Sequence, residues 1–434
     1  MTLLNRLSES NRLSESNRLS ESNRPSERQP IVETFISAER PHYRRPLIQT
    51  PFFPRSQDFV ETDAYIPWSG YSTLDVFSSV EQEYFAIRNS ASLFDLTPMV
   101  KYRIAGPDAQ DYLNRLVTRD ISKLKTNRVA YTVWCNDAGH VIDDGTVFRL
   151  SETEFRLCTA ERQLDWLLES AHGFAVEIAE VTADIAALAL QGPTSCAILT
   201  ALGCHGVELL KPFEIGHFVV ENTRLMVSRT GFTGDLGYEL WLPPESAVTM
   251  WDALMRVGKL RGLRPIGYRA LDMARIEAGF ILPNVDFVSC AHTIRLQRET
   301  TPYELGLDWA VALDKGHFNG RRPLLLEKQN GPRRRLVGLE LEGNKAAHGS
   351  LVYTGKNDHD HVGEITSALW SPTCKRNIAY AMIAAPHFSS KSPFWVDIYL
   401  HRELHWERRM VQAKIVDRVF YLPERRKQTP APSR

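Results

Sequence analysis

The chain has no long apolar run and no excess of charge of either sign. Its 434 residues include 52 Lys and Arg against 52 Asp and Glu, so the formal net charge is zero. Proteins that bind nucleic acids neutralise phosphate with clustered cations, so this balance argues against that class. No segment approaches the roughly 20 apolar residues that cross a bilayer. Because the N-terminus also has no apolar signal segment, we expect neither a nucleic-acid partner nor a membrane.

Cysteine is scarce as well. The chain has six cysteines, and none belongs to a C-x-x-C pair or stands beside a histidine at zinc-ligand spacing. Scattered cysteines in a chain this long are typical of reduced, buried thiols, so we predict a cytoplasmic protein without a metal site. These residues are Cys135, Cys158, Cys196, Cys204, Cys290 and Cys374.

The rest of the composition is that of a folded protein with an unusual start. Apolar residues make up 43% and charged residues 24%, and the length exceeds one ordinary domain, so we expect two or three folded units. The hexapeptide NRLSES begins at Asn5 and recurs at Asn11 and Asn17, with Leu as its only apolar residue. We therefore predict a disordered tail over residues 1–45. An expanded DNA repeat without function is the favoured interpretation of this tail.

Residues 46–330 alternate between patterns of strands and helices. Strand 100–104 precedes a helix that opens at Gly106-Pro107-Asp108, and paired strands 129–134 and 142–150 precede a helix over 163–171. The order strand–helix–strand–strand–helix is repeated over residues 186–257, with strands at 186–190, 225–229 and 238–242, which predicts two similar α+β halves. Residues 331–425 change to short β-like runs between turn residues, which predicts a separate C-terminal β-barrel or sandwich. These runs are 336–341, 350–353, 361–366, 378–383 and 411–415.

The first segment with residues suited to chemistry spans residues 136–145. It contains the adjacent carboxylates Asp143 and Asp144 at the start of a predicted strand. Neighbouring strand residues point to opposite faces, so one carboxylate can face solvent while the other faces a pocket. In a pocket it would stabilise positive charge in a transition state. A hairpin with acidic ends is the simpler explanation, and it is favoured when the pair is considered alone.

Two further segments carry charged residues in distinct contexts. Residues 228–239 have three glycines in seven residues but lack a nucleotide-binding fingerprint. Glu239 ends this segment on a strand that we expect to be half-buried, where a carboxylate needs donors. The N–H and NH2 edge of a heterocycle such as a pterin supplies two. Residues 272–279 are predicted as a helix on which Arg275 and Glu277 diverge, and a surface helix with ordinary charges accounts for them.

From about residue 81 to residue 416 the chain resembles the aminomethyltransferase (glycine-cleavage T-protein) family, which includes tetrahydrofolate-dependent demethylases. Eight motifs occur in the family's order, and together they are far more specific than any one of them. They lie at residues 93–96, 139–144, 188–193, 229–239, 275–279, 302–309 and 318–321, and at 363–367 followed by 371–373.

This resemblance implies an α+β, three-domain fold with a C-terminal β-barrel and with folate held in a central hole. Tetrahydrofolate is the implied cofactor. By its place in the motifs, Asp144 matches the active-site aspartate, Tyr131 a tyrosine near the folate, and Glu239 the glutamate that grips the pterin edge. Phe232 and Arg275 lie in matched motifs and complete the predicted folate-binding set.

Several motif positions depart from the T-protein pattern. Met99 belongs to T-P-M-V where the family has S-H-M-G, Phe232 replaces the tyrosine of Y-T-G-E, and Leu271 replaces the arginine of G-A-R-D. These departures lie around the donor and folate sites, and they argue against an aminomethyl donor on a lipoyl carrier. Aromatic faces attract methylated onium groups. We therefore predict Trp134 and Met99 as the donor-binding residues, although an ordinary core aromatic is the favoured explanation for any single one of these rings. Tyr131 and Trp134 are expected to point to opposite faces of their strand, so at most one of them lines the same wall.

The resulting expectation is an enzyme that moves a methyl group from a small methylated amine, sulfonium compound or ether to tetrahydrofolate. Asp144 would stabilise the cationic folate nitrogen, and Glu239 would hold the pterin. One alternative is a glycine-cleavage aminomethyltransferase, which needs a lipoylated carrier protein. The other is a non-catalytic folate-binding protein, although the K-G-C-Y-x-G-Q-E signature of such relatives is missing from the sequence.

Overall fold

The computed structural model describes residues 46–428, so the predicted tail over residues 1–45 lies outside the described part of the chain. Within this range the α-helices are α1 (Phe53–Ser56), α2 (Val80–Asn89), α3 (Ala109–Leu116), α4 (Leu164–Ser170), α5 (Ser195–Leu202), α6 (Ala247–Gly258), α7 (Tyr268–Glu277) and α8 (Arg321–Asn330). The strands before the C-terminal barrel are β1 (Tyr65–Trp68), β2 (Tyr71–Leu74), β3 (Ala91–Asp95), β4 (Val100–Ala105), β5 (Arg128–Cys135), β6 (Val141–Arg149), β7 (Glu154–Thr159), β8 (Glu177–Glu180), β9 (Ala186–Gln191), β10 (Ile215–Val220), β11 (Thr223–Ser228), β12 (Gly237–Leu242) and β13 (Leu263–Pro265).

The first sheet has five strands in the order β5-β6-β7-β4-β8, with antiparallel neighbours throughout. Its β5–β6 hairpin turns where Asn136 Oδ1 accepts hydrogen bonds from the backbone N–H groups of Ala138 and His140. Gly139 takes a positive φ of 80° inside this turn, a conformation that glycine adopts without strain. Helices α3 and α4 cover one face of the sheet through an apolar cluster that includes Leu113 and Leu167.

The second sheet has six strands in the order β10-β11-β12-β9-β3-β13. Its strand β9 is buried along its whole length, because it lies between β12 and β3 and has packed side chains on both faces. Helices α5 and α6 cover the outer face through a second apolar cluster that includes Ile198 and Trp251.

The two sheets and their helices follow the same chain order. Each half runs strand, helix, three strands, helix, strand, and β3 is inserted into the second sheet. The predicted repeat is therefore present, but each half has one more strand between its helices than we predicted. The missed strands are β7 and β10. Strand β10 is a sheet edge with partly exposed positions such as His217, so its apolar pattern is weak.

The C-terminal part closes into a six-stranded barrel. Its strands are β14 (Arg334–Leu341), β15 (Leu351–Tyr353), β16 (Gly363–Ser371), β17 (Arg376–Ala384), β18 (Phe394–Arg402) and β19 (His405–Val416), and β19 pairs with β14 to close the ring. The predicted fold class, α+β with a C-terminal barrel, is confirmed, although strand β18 was missed. The domain boundary between residues 330 and 331 stays a prediction.

The chain returns from the barrel to α7. The backbone N–H groups of Phe420 and Tyr421 both donate to the carbonyl oxygen of Glu277 at 2.9 Å. Apolar residues of the barrel, among them Leu336 and Tyr380, pack in one cluster with Ile276. These hydrogen bonds and apolar contacts therefore connect the barrel to the end of α7, close to the surfaces on which the two sheets face each other.

Two expectations from the sequence concern membrane-spanning segments and the state of the cysteines. No helix of residues 46–428 is both long enough and apolar enough to cross a membrane. The six cysteines are unpaired thiols. Four of them are buried, and Cys290 and Cys374 are half-buried.

Candidate active site

Asp144 and Glu239 project from the surfaces on which the two sheets face each other. Side chains alternate between the faces of a strand, so Asp144 shares a face of β6 with Phe148, and Glu239 shares a face of β12 with Trp241. The rings of Phe148 and Trp241 meet edge-on across the sheets, with their centroids 5.1 Å apart. The two carboxylates therefore point into the space beside this contact.

The neighbouring carboxylates of β6 have different surroundings. Asp143 is 1% exposed and accepts a 3.3 Å hydrogen bond from Gln163 Nε2, and burial with the adjacent charge of Asp144 raises its pKa well above the usual range. Asp144 is half-buried and accepts a 2.8 Å hydrogen bond from the hydroxyl of Tyr131. Burial raises the pKa of Asp144 to about 6, and the Tyr131 hydrogen bond opposes this rise. With a pKa of about 6, Asp144 is therefore ionised at neutral pH.

A stack of side chains leads outward from Asp144. The ring of Tyr131 stacks on Trp309 with a centroid separation of 5.7 Å. Trp309 is 60% exposed, and Arg119 Cζ lies 5.3 Å from its ring centroid. Sequence reasoning found the motif that ends at Trp309 but did not assign that residue to the site, and it missed Arg119. An aromatic residue inside a matched motif was the available signal for Trp309, whereas nothing local marked Arg119.

Glu239 is hydrogen-bonded through one of its two carboxylate oxygens, Oε2. Thr230 Oγ1 donates to Glu239 Oε2 at 2.6 Å and Ser228 Oγ lies 3.5 Å from the same oxygen. No side chain of the described residues donates to Oε1. Burial raises the pKa of Glu239 to about 7, and the two hydroxyl groups oppose this rise. A half-buried carboxylate with one open oxygen fits a ligand edge that carries N–H donors.

Phe232 and Met99, two further predicted site residues, lie at the edge of the central cluster between the sheets. The ring of Phe232 stacks on Phe280 with centroids 5.3 Å apart and an angle of 13° between the planes. The carbonyl oxygen of Met99 accepts a 2.8 Å hydrogen bond from the buried ammonium group of Lys101. Both residues are half-buried and can still contact a bound molecule. Among residues 46–428, no group of three His, Cys, Asp or Glu side chains is arranged to hold a metal ion.

The structure corrects the predicted role of Trp134. Trp134 is fully buried and packs against α3 and α4, on the face of β5 opposite to Tyr131. It therefore cannot line the space that Asp144 faces, and we no longer count Trp134 among the donor-binding residues.

The guanidinium of Arg275 is hydrogen-bonded to other residues of the protein. It donates to Asp272, Asp286, Ser367 and the carbonyl oxygen of Phe280, so four of its five N–H groups have partners. The side chain is 2% exposed. This geometry suits a residue that joins α7 to the barrel rather than one that contacts folate.

The interpretation of α7 as an ordinary surface helix is wrong. Glu277 is fully buried and accepts hydrogen bonds from Arg88, Tyr84 and Ser371. Arg88 comes from α2 and Ser371 from the barrel, so this carboxylate joins three parts of the fold. As predicted, Arg275 and Glu277 are not paired with each other.

Comparison with known proteins identifies the family. The family described as GCVT N-terminal domain matches residues 46–315, and the glycine cleavage T-protein C-terminal barrel domain matches residues 334–421. The chain belongs to the glycine-cleavage T-protein, or aminomethyltransferase, family. Members of this family are transferases that use tetrahydrofolate, and this protein is a tetrahydrofolate-dependent transferase.

Individual relatives agree with this assignment. The aminomethyltransferase of Caldanaerobacter subterraneus subsp. tengcongensis is 36% identical over 362 residues, which cover 82% of this chain and 91% of that protein. That of Thermoanaerobacter pseudethanolicus is 35% identical over 343 residues, covering 78% and 89%. The crystal structure of the glycine cleavage system aminomethyltransferase T from Bartonella henselae has the same fold, with a TM-score of 0.76, 24% identity and coverage of 88% and 100%.

These relatives overturn the main functional expectation. We expected a demethylase that acts on a small methylated compound, but relatives at 33–36% identity are named aminomethyltransferases. The glycine-cleavage alternative is the better supported one. The departures in the motif around Met99 and at Phe232 and Leu271 therefore do not exclude an aminomethyl donor.

Proposed function

We propose that this protein transfers the aminomethyl carbon from a lipoylated carrier protein to tetrahydrofolate and releases ammonia. The observation that carries the proposal is the pair of half-buried carboxylates, Asp144 and Glu239, on the facing surfaces of the two sheets. The names of the relatives support an aminomethyl group as the unit transferred.

The arrangement of acceptors and rings fits tetrahydrofolate. Glu239 Oε1 is open to the N–H and NH2 edge of the pterin, while Thr230 holds Oε2. Asp144 would then lie beside the reactive nitrogens, and Tyr131 and Phe232 provide aromatic surfaces for the ligand.

The proposed reaction balances without an oxidant. The carbon loses its bonds to the carrier sulfur and to the amine nitrogen, and it gains bonds to two folate nitrogens. The two protons that these nitrogens release end on the thiol and on ammonia. Tetrahydrofolate supplies the two nucleophilic nitrogens. The protein supplies their position, which is a large part of the rate enhancement in such transfers.

Asp144 is proposed as the catalytic residue. Its carboxylate is ionised above pH 6 and stands in a half-buried position, where it stabilises positive charge on the reacting nitrogen and accepts a released proton. Tyr131 keeps one oxygen of this carboxylate in place through its 2.8 Å hydrogen bond.

The reaction is tested with an aminomethylated lipoyl carrier and tetrahydrofolate. We expect ammonia release and formation of methylene-tetrahydrofolate, both detected by mass spectrometry and an enzymatic ammonia assay. A carrier that lacks the lipoyl group is the control and should give neither product. Tetrahydrofolate binding without any ammonia release would contradict the proposed function and favour the non-catalytic alternative.

Replacing Glu239 with Gln should weaken tetrahydrofolate binding by about 10- to 100-fold, because the charge-assisted hydrogen bonds to the pterin edge are lost. The affinity of the wild type should also fall as the pH is lowered below about 7, since protonation removes the acceptor, and this dependence should vanish in the variant. Isothermal titration calorimetry at several pH values measures both effects. The exposed Glu245→Gln is the matched control, and equal affinities in the three proteins would refute the role of Glu239.

The pH profile of turnover should depend on Tyr131. In the wild type, kcat should fall as the pH drops through about 6, because Asp144 becomes protonated. The Tyr131 hydrogen bond lowers the pKa of Asp144, so Tyr131→Phe should move this acid limb to higher pH. Steady-state kinetics from pH 5 to pH 9 would show the shift. If the acid limb of the kcat profile does not move, Tyr131 does not influence the group that titrates.

A further inference from the structure

Arg119 is a cation without a counter-ion next to the candidate active site. Among residues 46–428 its guanidinium makes no hydrogen bond and no ion pair, and its described contact is the ring of Trp309. The residue is half-buried, and that burial lowers the pKa of Arg119 with no nearby carboxylate to oppose it. Arg88 and Arg275 differ, since each faces buried carboxylates, whereas Arg156 over the ring of Trp241 and Arg426 over the ring of Phe280 resemble Arg119 but do not belong to the stack that begins at Asp144.

The backbone that carries Arg119 is held firmly. The carbonyl oxygen of Arg119 accepts a 2.7 Å hydrogen bond from Lys315 Nζ, which also binds the carbonyl oxygen of Val117 at 2.5 Å. The hydroxyl of Thr118 donates to the carbonyl oxygen of Ala310 at 2.9 Å. These hydrogen bonds hold the chain around Arg119 against residues 310–315. The position of the arginine is therefore fixed before a ligand binds.

The guanidinium lies at the outer end of the stack that begins at Asp144. Arg119 Cζ is 5.3 Å from the ring of Trp309, whose centroid is 5.7 Å from that of Tyr131, so Arg119 lies at most 11.0 Å from the Tyr131 ring. A ligand that has its reactive group at Asp144 and extends along this stack would bring its far end to Arg119.

We propose that Arg119 binds a carboxylate of the glutamate tail of tetrahydrofolate. This inference rests on the proposed function, because it requires the reduced ring at Asp144. The tail follows the aminobenzoyl ring at the end of the molecule remote from the pterin, and it carries carboxylates. A planar guanidinium pairs with a carboxylate through two parallel hydrogen bonds, and Arg119 has its donors free for such a pair. The arginine thereby selects folates that keep their glutamate.

The test compares tetrahydrofolate with tetrahydropteroate, which has the same rings but no glutamate. Isothermal titration calorimetry on the full chain should show that the wild type binds tetrahydrofolate more tightly. Arg119→Gln should weaken tetrahydrofolate binding about tenfold, which corresponds to about 1.4 kcal/mol, and leave tetrahydropteroate binding unchanged. In turnover, the variant should raise KM for tetrahydrofolate with kcat preserved, as expected for binding that is equal in the ground and transition states.

Arg115→Gln is the matched control, because Arg115 is exposed on α3 four residues earlier. It should leave both affinities at the wild-type value. Equal weakening of both ligands in Arg119→Gln, or no weakening at all, would overturn the glutamate contact. So would a wild type that binds both ligands equally, although the proposed function would then survive. A wild type that binds neither ligand would remove the proposed function and this inference together.

Discussion

Replacing Asp144 with Asn should lower turnover by about 10²- to 10⁴-fold, the range typical for the loss of a positioned acid–base group. Asn keeps the size of the side chain and can still accept the hydrogen bond from Tyr131, so the local structure is preserved. The variant lacks the negative charge that stabilises the cationic nitrogen. Tetrahydrofolate binding should change little, because Glu239 holds the pterin edge. Ammonia release and calorimetric titration measure the two quantities separately.

The neighbouring Asp143→Asn is the control for this experiment. Asp143 points to the opposite face of β6, and burial with the adjacent charge of Asp144 raises its pKa, so a neutral amide of the same shape is a suitable replacement. We expect turnover near that of the wild type. If Asp144→Asn retains full turnover, or if it abolishes folate binding while Asp143→Asn does not, the assignment of Asp144 as the catalytic residue is refuted.

Replacing Glu277 with Ala should destabilise the protein by about 3–5 kcal/mol, the cost of removing one partner of a buried ion pair. The variant would leave the guanidinium of Arg88 buried without its principal counter-charge, and it would remove the acceptor for Tyr84 and Ser371. Because these donors come from α2 and from the barrel, the loss affects contacts throughout the fold. Urea unfolding followed by circular dichroism measures the change in the free energy of unfolding.

Two comparisons make this result interpretable. Asp252→Ala breaks the ion pair with Arg55, in which both side chains are about half exposed, and should have no measurable effect. The double variant Arg88→Met, Glu277→Met should be more stable than Glu277→Ala alone, since it leaves no unpaired buried charge. A Glu277→Ala protein with wild-type stability would show that this network contributes nothing to the fold.

The site residues differ in how far sequence reasoning could locate them. Strand alternation correctly predicted that Asp143 and Asp144 point to opposite faces and that Tyr131 and Trp134 do so too. It could not decide which face is the core, and Trp134 was assigned to the wrong one. That choice depends on what packs against each face of the sheet, and here α3 and α4 cover the face with Trp134.

The charged residues of α7 also show that local sequence patterns do not predict which side chains are buried. The helix was predicted from its local pattern, and the divergence of Arg275 and Glu277 followed from helical geometry. The buried partner Asp286 lies 11 residues from Arg275, and the buried partner Arg88 lies 189 residues from Glu277. No local pattern signals that α2 and the barrel bury both charges, so exposure was the natural but incorrect expectation.

The sequence alone determined the order of the main strands and helices, the barrel at the C-terminus and, through eight ordered motifs, the family. The strands and helices follow from short-range periodicity and from turn residues, which are encoded within a few positions of each other, whereas the family and the barrel followed from the resemblance of the motifs. Only the tertiary structure decided which carboxylate of the Asp143–Asp144 pair lies with Tyr131, and that Trp309 and Arg119 extend the same stack. Trp309 is 178 residues from Tyr131, and contacts over such distances arise from the packing of whole sheets, which local sequence patterns do not specify.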